Sequence, residues 1–147
     1  MTGLHAWRHG GVTNAEVPLL AGRDTLPGLL SRAGYQTRAI GKMHFTPTRA
    51  HYGFQHMELL PDYHRWLRSQ PQATLPMTHG LGQNEMEPAL SDQLEQHTNT
   101  YWTAARSVNF LETRDETRPF FLWTSFSKPH PPLDPSGHEA FEYRAGG

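Results

Sequence analysis

The chain has 147 residues, a length typical of one domain. Its net charge of −1 argues against a nucleic-acid-binding protein, and its apolar content of 36% is below the roughly 45–50% that is usual for globular proteins. The absence of cysteine excludes disulfides, thiolate metal sites and cysteine nucleophiles within this sequence.

The sequence contains no membrane span and no targeting signal that we can identify. No apolar run approaches the roughly 18 residues that a span requires, and residues 1–11 lack the apolar stretch of a secretory signal peptide. We therefore expect a chain without a membrane partner that, as it stands, stays in the cytoplasm.

The N-terminal residues 1–20 are predicted to form a loop, because they show no periodicity and contain several glycines. His5 and His9 lie four residues apart, a spacing that could place two metal ligands on one face of a helix. The Gly10-Gly11 pair disfavours that helix, so we predict no metal site in this chain.

A helix over about residues 25–33 is the first clear element, with Thr25 or Asp24 as its cap. Gly34 suits the left-handed residue that ends many helices, and a strand over 35–40 follows. Four residues of the helix form one apolar stripe: Leu26, Leu29, Leu30 and Ala33.

Residues 46–88 are polar and rich in proline, which predicts a long irregular excursion over one face of the sheet, with one or two helical turns near 62–69. A second helix is predicted over about 91–113 with Ser91 as its cap. Its stripe at helical spacing comprises Leu94, Thr98, Tyr101, Ala105, Val108 and Leu111.

The apolar run 120–126 predicts a second strand, buried on both faces of a parallel sheet. Residues 139–143 are expected to form at most one turn of helix. The pattern indicates an α/β fold in which two parallel strands, joined by a helical crossover, belong to a larger sheet.

Lysine and histidine follow both predicted strands. Lys42 and His44 come directly after the first strand, and Lys128 and His130 follow the second within a proline-rich loop. Ligands of open α/β sheets bind outside the carboxyl ends of the strands, and a lysine with an imidazole suits a sulfate or phosphate group. We therefore predict that the two loops meet over one anion.

Each pair also has an ordinary explanation. Lys42 and His44 could be a surface lysine and a capping histidine, and their spacing alone favours this alternative. The prolines around Lys128 and His130 are compatible with a simple linker. The recurrence of the pair at two strand ends favours the anion site.

Other residues add little to this site. Asn14 and Asn99 are polar candidates, and the four tryptophans fit a core better than a substrate platform. The sequence has no glycine-rich phosphate loop, nucleophile elbow or HExxH motif. The residues alone therefore predict an anion site on an α/β sheet and no defined reaction.

Four stretches of the chain resemble the sulfatase family. Residues 25–45 (TLPGLLSRAGYQTRAIGKMHF) are similar to the family's TLAxLLxxAGYxTxxxGKWH block, with Met43 where many members have Trp. Residues 119–135 (PFFLWTSFSKPHPPLDP) resemble the later block of strand, histidine and prolines. The opening MTGLHAWRHGGVTN is similar to the segment after the nucleophile motif Cys/Ser-x-Pro-x-Arg, and YGFQHMEL matches the continuation of the first block.

The resemblance implies an alkaline-phosphatase-like α/β sandwich and hydrolysis of small-molecule sulfate esters by a formylglycine beside a calcium ion. On the matching positions, Lys42 would bind the sulfate oxygens, and His44 would hydrogen-bond the formylglycine hydrate and help to release sulfate. His130 would contact the sulfate and assist the leaving oxygen by general acid action. Lys128 and Asn14 are further substrate-binding candidates.

The sequence also departs from the family pattern. It lacks the paired metal-binding aspartates of the first strand, the nucleophile motif, the later Asp-His or Asp-Asn pair and the final active-site lysine. We therefore interpret residues 1–147 as a partial sulfatase catalytic domain without calcium ligands and without turnover of its own; another chain could supply the remainder. The alternatives are a non-catalytic sulfate- or phosphate-binding fragment, a phosphatase or phosphonate hydrolase, and a truncated gene product without function.

Overall fold

A computed structural model describes residues 1–11, 22–73, 86, 89–91 and 93–136. Its centre is a parallel sheet of three strands in the order β2-β1-β3, which confirms the predicted α/β class. The strands are β1 (Gln36–Gly41), β2 (His56–Leu59) and β3 (Phe120–Ser125). The helices are α1 (Ala6–His9), α2 (Leu26–Arg32), α3 (Leu60–Leu67) and α4 (Asn99–Thr113), with a 3-10 turn over Glu95–His97.

β1 is the central strand, and its residues Thr37, Ala39 and Ile40 are almost fully buried. β2 was not predicted, since a strand of four residues inside a polar excursion has no clear period of its own. Its pairing with β1, from Arg38 opposite His56 to Gly41 opposite Leu59, produces the strand. The prediction of a wholly irregular excursion is therefore wrong over β2, whereas α3 confirms the predicted helical turns.

β3 is not the doubly buried strand that its apolar sequence predicts. Among the described residues it pairs only with β1, and so it forms an edge of the sheet. Phe120 and Trp123 are 40% and 38% exposed. An apolar run does not by itself reveal whether a strand has neighbours on both sides.

α2 confirms the first predicted helix. Thr25 caps it, because its Oγ1 accepts a hydrogen bond from the N–H of Gly28 at 3.2 Å. The predicted apolar stripe is only partly covered, since Leu26 and Leu29 are exposed. α1 contradicts the predicted N-terminal loop over four residues, and Gly10 ends this turn in the left-handed conformation with φ of 87°.

α4 begins later than predicted and buries a different face. The cap is Thr98, whose Oγ1 accepts from the N–H of Tyr101 at 3.1 Å, while Ser91 forms a β-bridge with Ser136. Tyr101 and Val108 on the predicted stripe are 48% and 51% exposed. The buried face comprises Trp102, Thr103, Ser107 and Phe110.

The buried face of α4 is selected by its neighbours. Trp102 packs in a core cluster with Tyr63 and Leu67 of α3. Farther along the helix, the hydroxyl of Ser107 lies 2.9 Å from that of Thr124 in β3. Among the described residues, no helix is both long enough and apolar enough to cross a bilayer. The expected turn at 139–143 lies outside the described residues.

Candidate functional site

The carboxyl ends of β1 and β3 lie side by side at one edge of the sheet. The strands are parallel, and Gly41 is in register with Ser125. The N–H of Lys42, the first residue after β1, donates to the carbonyl of Ser125 at 2.8 Å. The loop with Lys42 and His44 and the loop with His130 therefore leave the sheet at the same edge.

Gly41 permits this close approach of the two strand ends. Its φ of +100° is in the left-handed region, and an added Cβ would lie 2.0 Å from the carbonyl oxygen of Ser125. The same Cβ would lie 2.9 Å from Cγ2 of Thr103 in α4. A residue with a side chain does not fit here, so glycine places Lys42 directly beside the end of β3.

His44 is exposed and borders a cavity of about 220 Å³. The cavity is lined by Met1, Thr2, His9, Gly11, His44, Phe45, Thr46 and Tyr52. These residues belong to the N-terminal segment and to the chain after β1, so the cavity opens beside His44 and not between the two strand-end loops. The rings of Phe45 and Tyr52 meet edge to face with centroids 5.2 Å apart, and the Tyr52 hydroxyl donates to the carbonyl of Thr46.

An ion pair ties the loop after β1 to α3. The guanidinium of Arg49 lies 2.5 Å from the Asp62 carboxylate, which also accepts from the N–H of Leu59 at 2.9 Å. Burial by itself raises the pKa of Asp62, but the hydrogen bonds from Arg49 and Leu59 and the charges of Arg49 and Arg65 outweigh it, so that the pKa is lowered. The loop that carries His44 therefore has a charged anchor at neutral pH.

His130 is exposed, and its ring orientation is set by its own loop. Nδ1 lies 2.8 Å from the carbonyl of Pro131, and the backbone N–H of His130 donates to the carbonyl of Ser127 at 3.1 Å. Because a carbonyl can only accept, Nδ1 carries the proton in the neutral ring, and Nε2 is the nitrogen that remains for a ligand. This tautomer suits a histidine that receives a proton at Nε2 and then donates it.

Lys128 is engaged within the same loop. Its ammonium donates to the Asp134 carboxylate and to the carbonyl of Pro132. Burial lowers the pKa of Lys128, and the negative charge of Asp134 acts in the opposite direction. Sequence reasoning did not identify Asp134, because nothing in its spacing distinguishes it from an ordinary loop aspartate.

Asn99 connects α4 to the start of this loop. Its Oδ1 accepts from the hydroxyl of Ser127 at 3.2 Å. Its Nδ2 is buried and has no hydrogen-bond partner within the part of the chain that the structure describes. The sequence marked Asn99 only as a polar candidate, since its partner lies 28 positions along the chain. Asn14, the other asparagine candidate, lies outside the described residues.

A metal centre is not formed by the residues that are described. Within these ranges no three His, Asp or Glu side chains are grouped so that they could hold a metal ion. His5 caps α1 and His9 ends it, and Nδ1 of His9 accepts from the N–H of Gly11 at 3.2 Å. The described residues therefore do not fit the calcium ion of the family, and no step below depends on one.

Comparison with known proteins places this geometry in a family. The family model described as Sulfatase matches residues 1–145. An arylsulfatase of Clostridium perfringens is 31% identical over 157 aligned positions, which cover 92% of this chain and 33% of that protein.

Two solved structures share the fold. The phosphonate monoester hydrolase of Agrobacterium radiobacter superposes with a TM-score of 0.69 and 28% identity, over 93% of this chain and 31% of its own. A protein in complex with its substrate D-glucosamine-2-N,6-O-disulfate superposes with a TM-score of 0.64 and 23% identity, over 99% and 26%.

These likenesses confirm the alkaline-phosphatase-like α/β fold that the sequence resemblance implies. The chain spans about a third of the length of the arylsulfatase that it matches. Because the family model covers almost every residue, the chain belongs to the sulfatase family.

Proposed function

We propose that Lys42, His44 and His130 form the anion-binding part of a site for small-molecule sulfate esters. The observation that carries this proposal is the register of β1 and β3, in which the N–H of Lys42 bonds to the last carbonyl of β3 at 2.8 Å. Two loops with cationic or imidazole side chains leave the sheet at that edge, which is where ligands of α/β sheets bind.

Each residue has a role that follows from its chemistry. The ammonium of Lys42 supplies a positive charge and three donors for the sulfate oxygens. His44, next to it on the same loop, donates a hydrogen bond to the group that carries the nucleophilic oxygen. His130, with Nδ1–H bonded to the Pro131 carbonyl, donates a proton from Nε2 to the leaving alcohol oxygen.

We further propose that the isolated chain does not turn over sulfate esters. The sequence has no cysteine and no Ser-x-Pro-x-Arg motif, so it has no residue from which the formylglycine nucleophile could be made. Groups that stabilise charge lower the barrier of a reaction only when a nucleophile is present. In the described residues, Lys42, His44 and His130 are such supporting groups.

Sulfate binding tests the first proposal. We expect isothermal calorimetry to detect sulfate binding by the unmodified chain, and Lys42→Ala to weaken it by a factor of about ten or more, because a hydrogen bond to a charged group contributes about 1.5–3 kcal/mol. Arg32→Ala is the matched control, since it removes the same charge from an exposed ion pair on α2. Equal losses in the two variants, or no binding by the unmodified chain, would contradict the proposal.

Turnover is measured separately, with an aryl sulfate as substrate in the presence and absence of calcium. We expect no product above the uncatalysed rate in either condition, because the nucleophile is missing. Clear hydrolysis by the purified chain would show that the proposed inactivity is wrong.

A second candidate is a phosphonate- or phosphate-ester site, which the similarity to the phosphonate monoester hydrolase supports. The Lys-x-His pair after β1 favours sulfate over this alternative. Competition calorimetry with sulfate, phosphate and methylphosphonate decides between them: we expect sulfate to bind most tightly, and a preference for methylphosphonate would favour the second candidate.

A further inference from the structure

Lys128 is held by two groups of its own loop. Its ammonium donates to the carboxylate of Asp134 and to the carbonyl of Pro132. An ammonium has three donor hydrogens, and the loop uses two of them. The carboxylate also neutralises the charge that would otherwise attract an anion to Lys128.

The ion pair closes a loop whose backbone is ordered at several points. Inside the loop, the N–H of His130 donates to the carbonyl of Ser127 at 3.1 Å. On its outer side, the N–H of Ala89 donates to Leu133 and that of Ser91 to Pro135, both at 3.0 Å. A parallel bridge joins positions 91 and 136. Residues 127–136 thus form a built loop with His130 near its start.

The pair is partly shielded from water. The side chain of Lys128 is 41% exposed and that of Asp134 is 19% exposed. Salt screens a partly buried pair less than a fully exposed one. Burial disfavours the charged ammonium and lowers its pKa, so a carboxylate partner stabilises the arrangement in which Lys128 folds back onto its loop.

We propose that Lys128 is a positioning residue, whose ion pair with Asp134 closes the loop of residues 127–136 and holds the His130 imidazole at the sheet edge. This inference replaces direct substrate binding as the role of Lys128. It rests on the proposed function in one respect, that His130 contacts the anion. The closure of the loop itself does not depend on any ligand.

Amide hydrogen exchange measured by NMR tests the closure without a ligand. In Lys128→Met and Asp134→Asn we expect the N–H groups of Ala89, Ser91 and His130 to exchange up to about fivefold faster, the factor that corresponds to the loss of one partly exposed ion pair. Both variants are expected to show the same loss, because either substitution removes the same contact. Unchanged protection in Asp134→Asn would overturn the proposal.

Two further variants serve as controls. Lys128→Arg keeps a cation with several donors, and we expect it to preserve most of the protection. Asp24→Asn removes the partner of Arg32 in an exposed ion pair on another part of the chain, and we expect the protection of the loop to be unchanged. Equal deprotection in Asp24→Asn would indicate a general loss of stability and would contradict the proposed clamp.

Sulfate calorimetry then separates positioning from direct binding. If Lys128 positions His130, Asp134→Asn weakens sulfate binding to about the same extent as Lys128→Met. If Lys128 binds the anion itself, Asp134→Asn frees the ammonium and strengthens binding, which would overturn the proposal. If the unmodified chain binds no sulfate, the proposed function fails, and the exchange measurement still decides whether the ion pair closes the loop.

Discussion

A single glycine sets the distance between the two strand ends of the candidate site. Gly41 has φ of +100°, and its missing side chain leaves room for the carbonyl of Ser125 and the methyl group of Thr103. Gly34 also has a positive φ, of +92°, but an added Cβ there meets no atom within 4 Å. The two glycines therefore differ in packing while sharing the same region of backbone conformation.

This difference predicts the cost of substitution. We expect Gly34→Ala to destabilise the chain by about 1 kcal/mol through backbone strain alone. Gly41→Ala adds a collision with backbone, and we expect at least about 2 kcal/mol more from overpacking. The midpoints of urea unfolding measure both values, and equal costs would show that the approach of β1 to β3 is not as close as described.

At the scale of elements, α4 shows why its start is hard to locate from sequence. Both Ser91 and Thr98 are good capping residues and both precede apolar positions. Thr98 is the residue whose hydroxyl accepts from the third N–H of the helix, whereas Ser91 pairs its backbone with the loop after β3. The segment between them contains only the short 3-10 turn Glu95–His97.

Replacement of the two caps distinguishes these assignments. We expect Thr98→Ala to lower the free energy of unfolding by about 1 kcal/mol, because it leaves a helical N–H without its acceptor. Ser91→Ala keeps the backbone hydrogen bond to Pro135, so we expect a change of less than about 0.5 kcal/mol. Urea unfolding followed by circular dichroism measures both, and a larger effect at position 91 would contradict the assigned helix start.

At the scale of the whole molecule, the core lies where α3 meets α4. Tyr63 packs with Leu67 and Trp102, and its hydroxyl donates to the carbonyl of His97 at 2.9 Å. Burial raises the pKa of Tyr63 to about 12, from an ordinary value of 10.0. The folded chain therefore resists forming the phenolate that the unfolded chain forms readily.

This pKa difference predicts how stability depends on alkaline pH. The contribution of Tyr63 is complete below pH 10 and is lost as the pH rises from about 10 to about 12, by about 1.4 kcal/mol per pH unit. Tyr63→Phe removes this dependence, at the cost of about 1 kcal/mol for the hydrogen bond to His97. Urea unfolding at several pH values between 9 and 12 compares the two chains, and parallel pH profiles would contradict the prediction.

Signals that act within a few residues were readable from the sequence. The cap at Thr25, the strand that ends at Gly41 and the position of Lys42 and His44 just after it were all predicted, because capping, turns and strand ends depend on neighbours along the chain. The blocks that contain these residues also sufficed to identify the sulfatase family, which the family model confirms. The roles of the site residues remain predictions.

Features that depend on distant segments were decided only by the tertiary structure. β2 exists because it pairs with β1, β3 is an edge strand among the described residues, and the buried face of α4 is the one that meets Tyr63 and Thr124. Likewise, Lys128 could be a ligand or a clamp until the fold placed Asp134 against it. The physical reason is that strand pairing, helix burial and ion pairs are interactions between groups far apart in sequence, and no local pattern contains both partners.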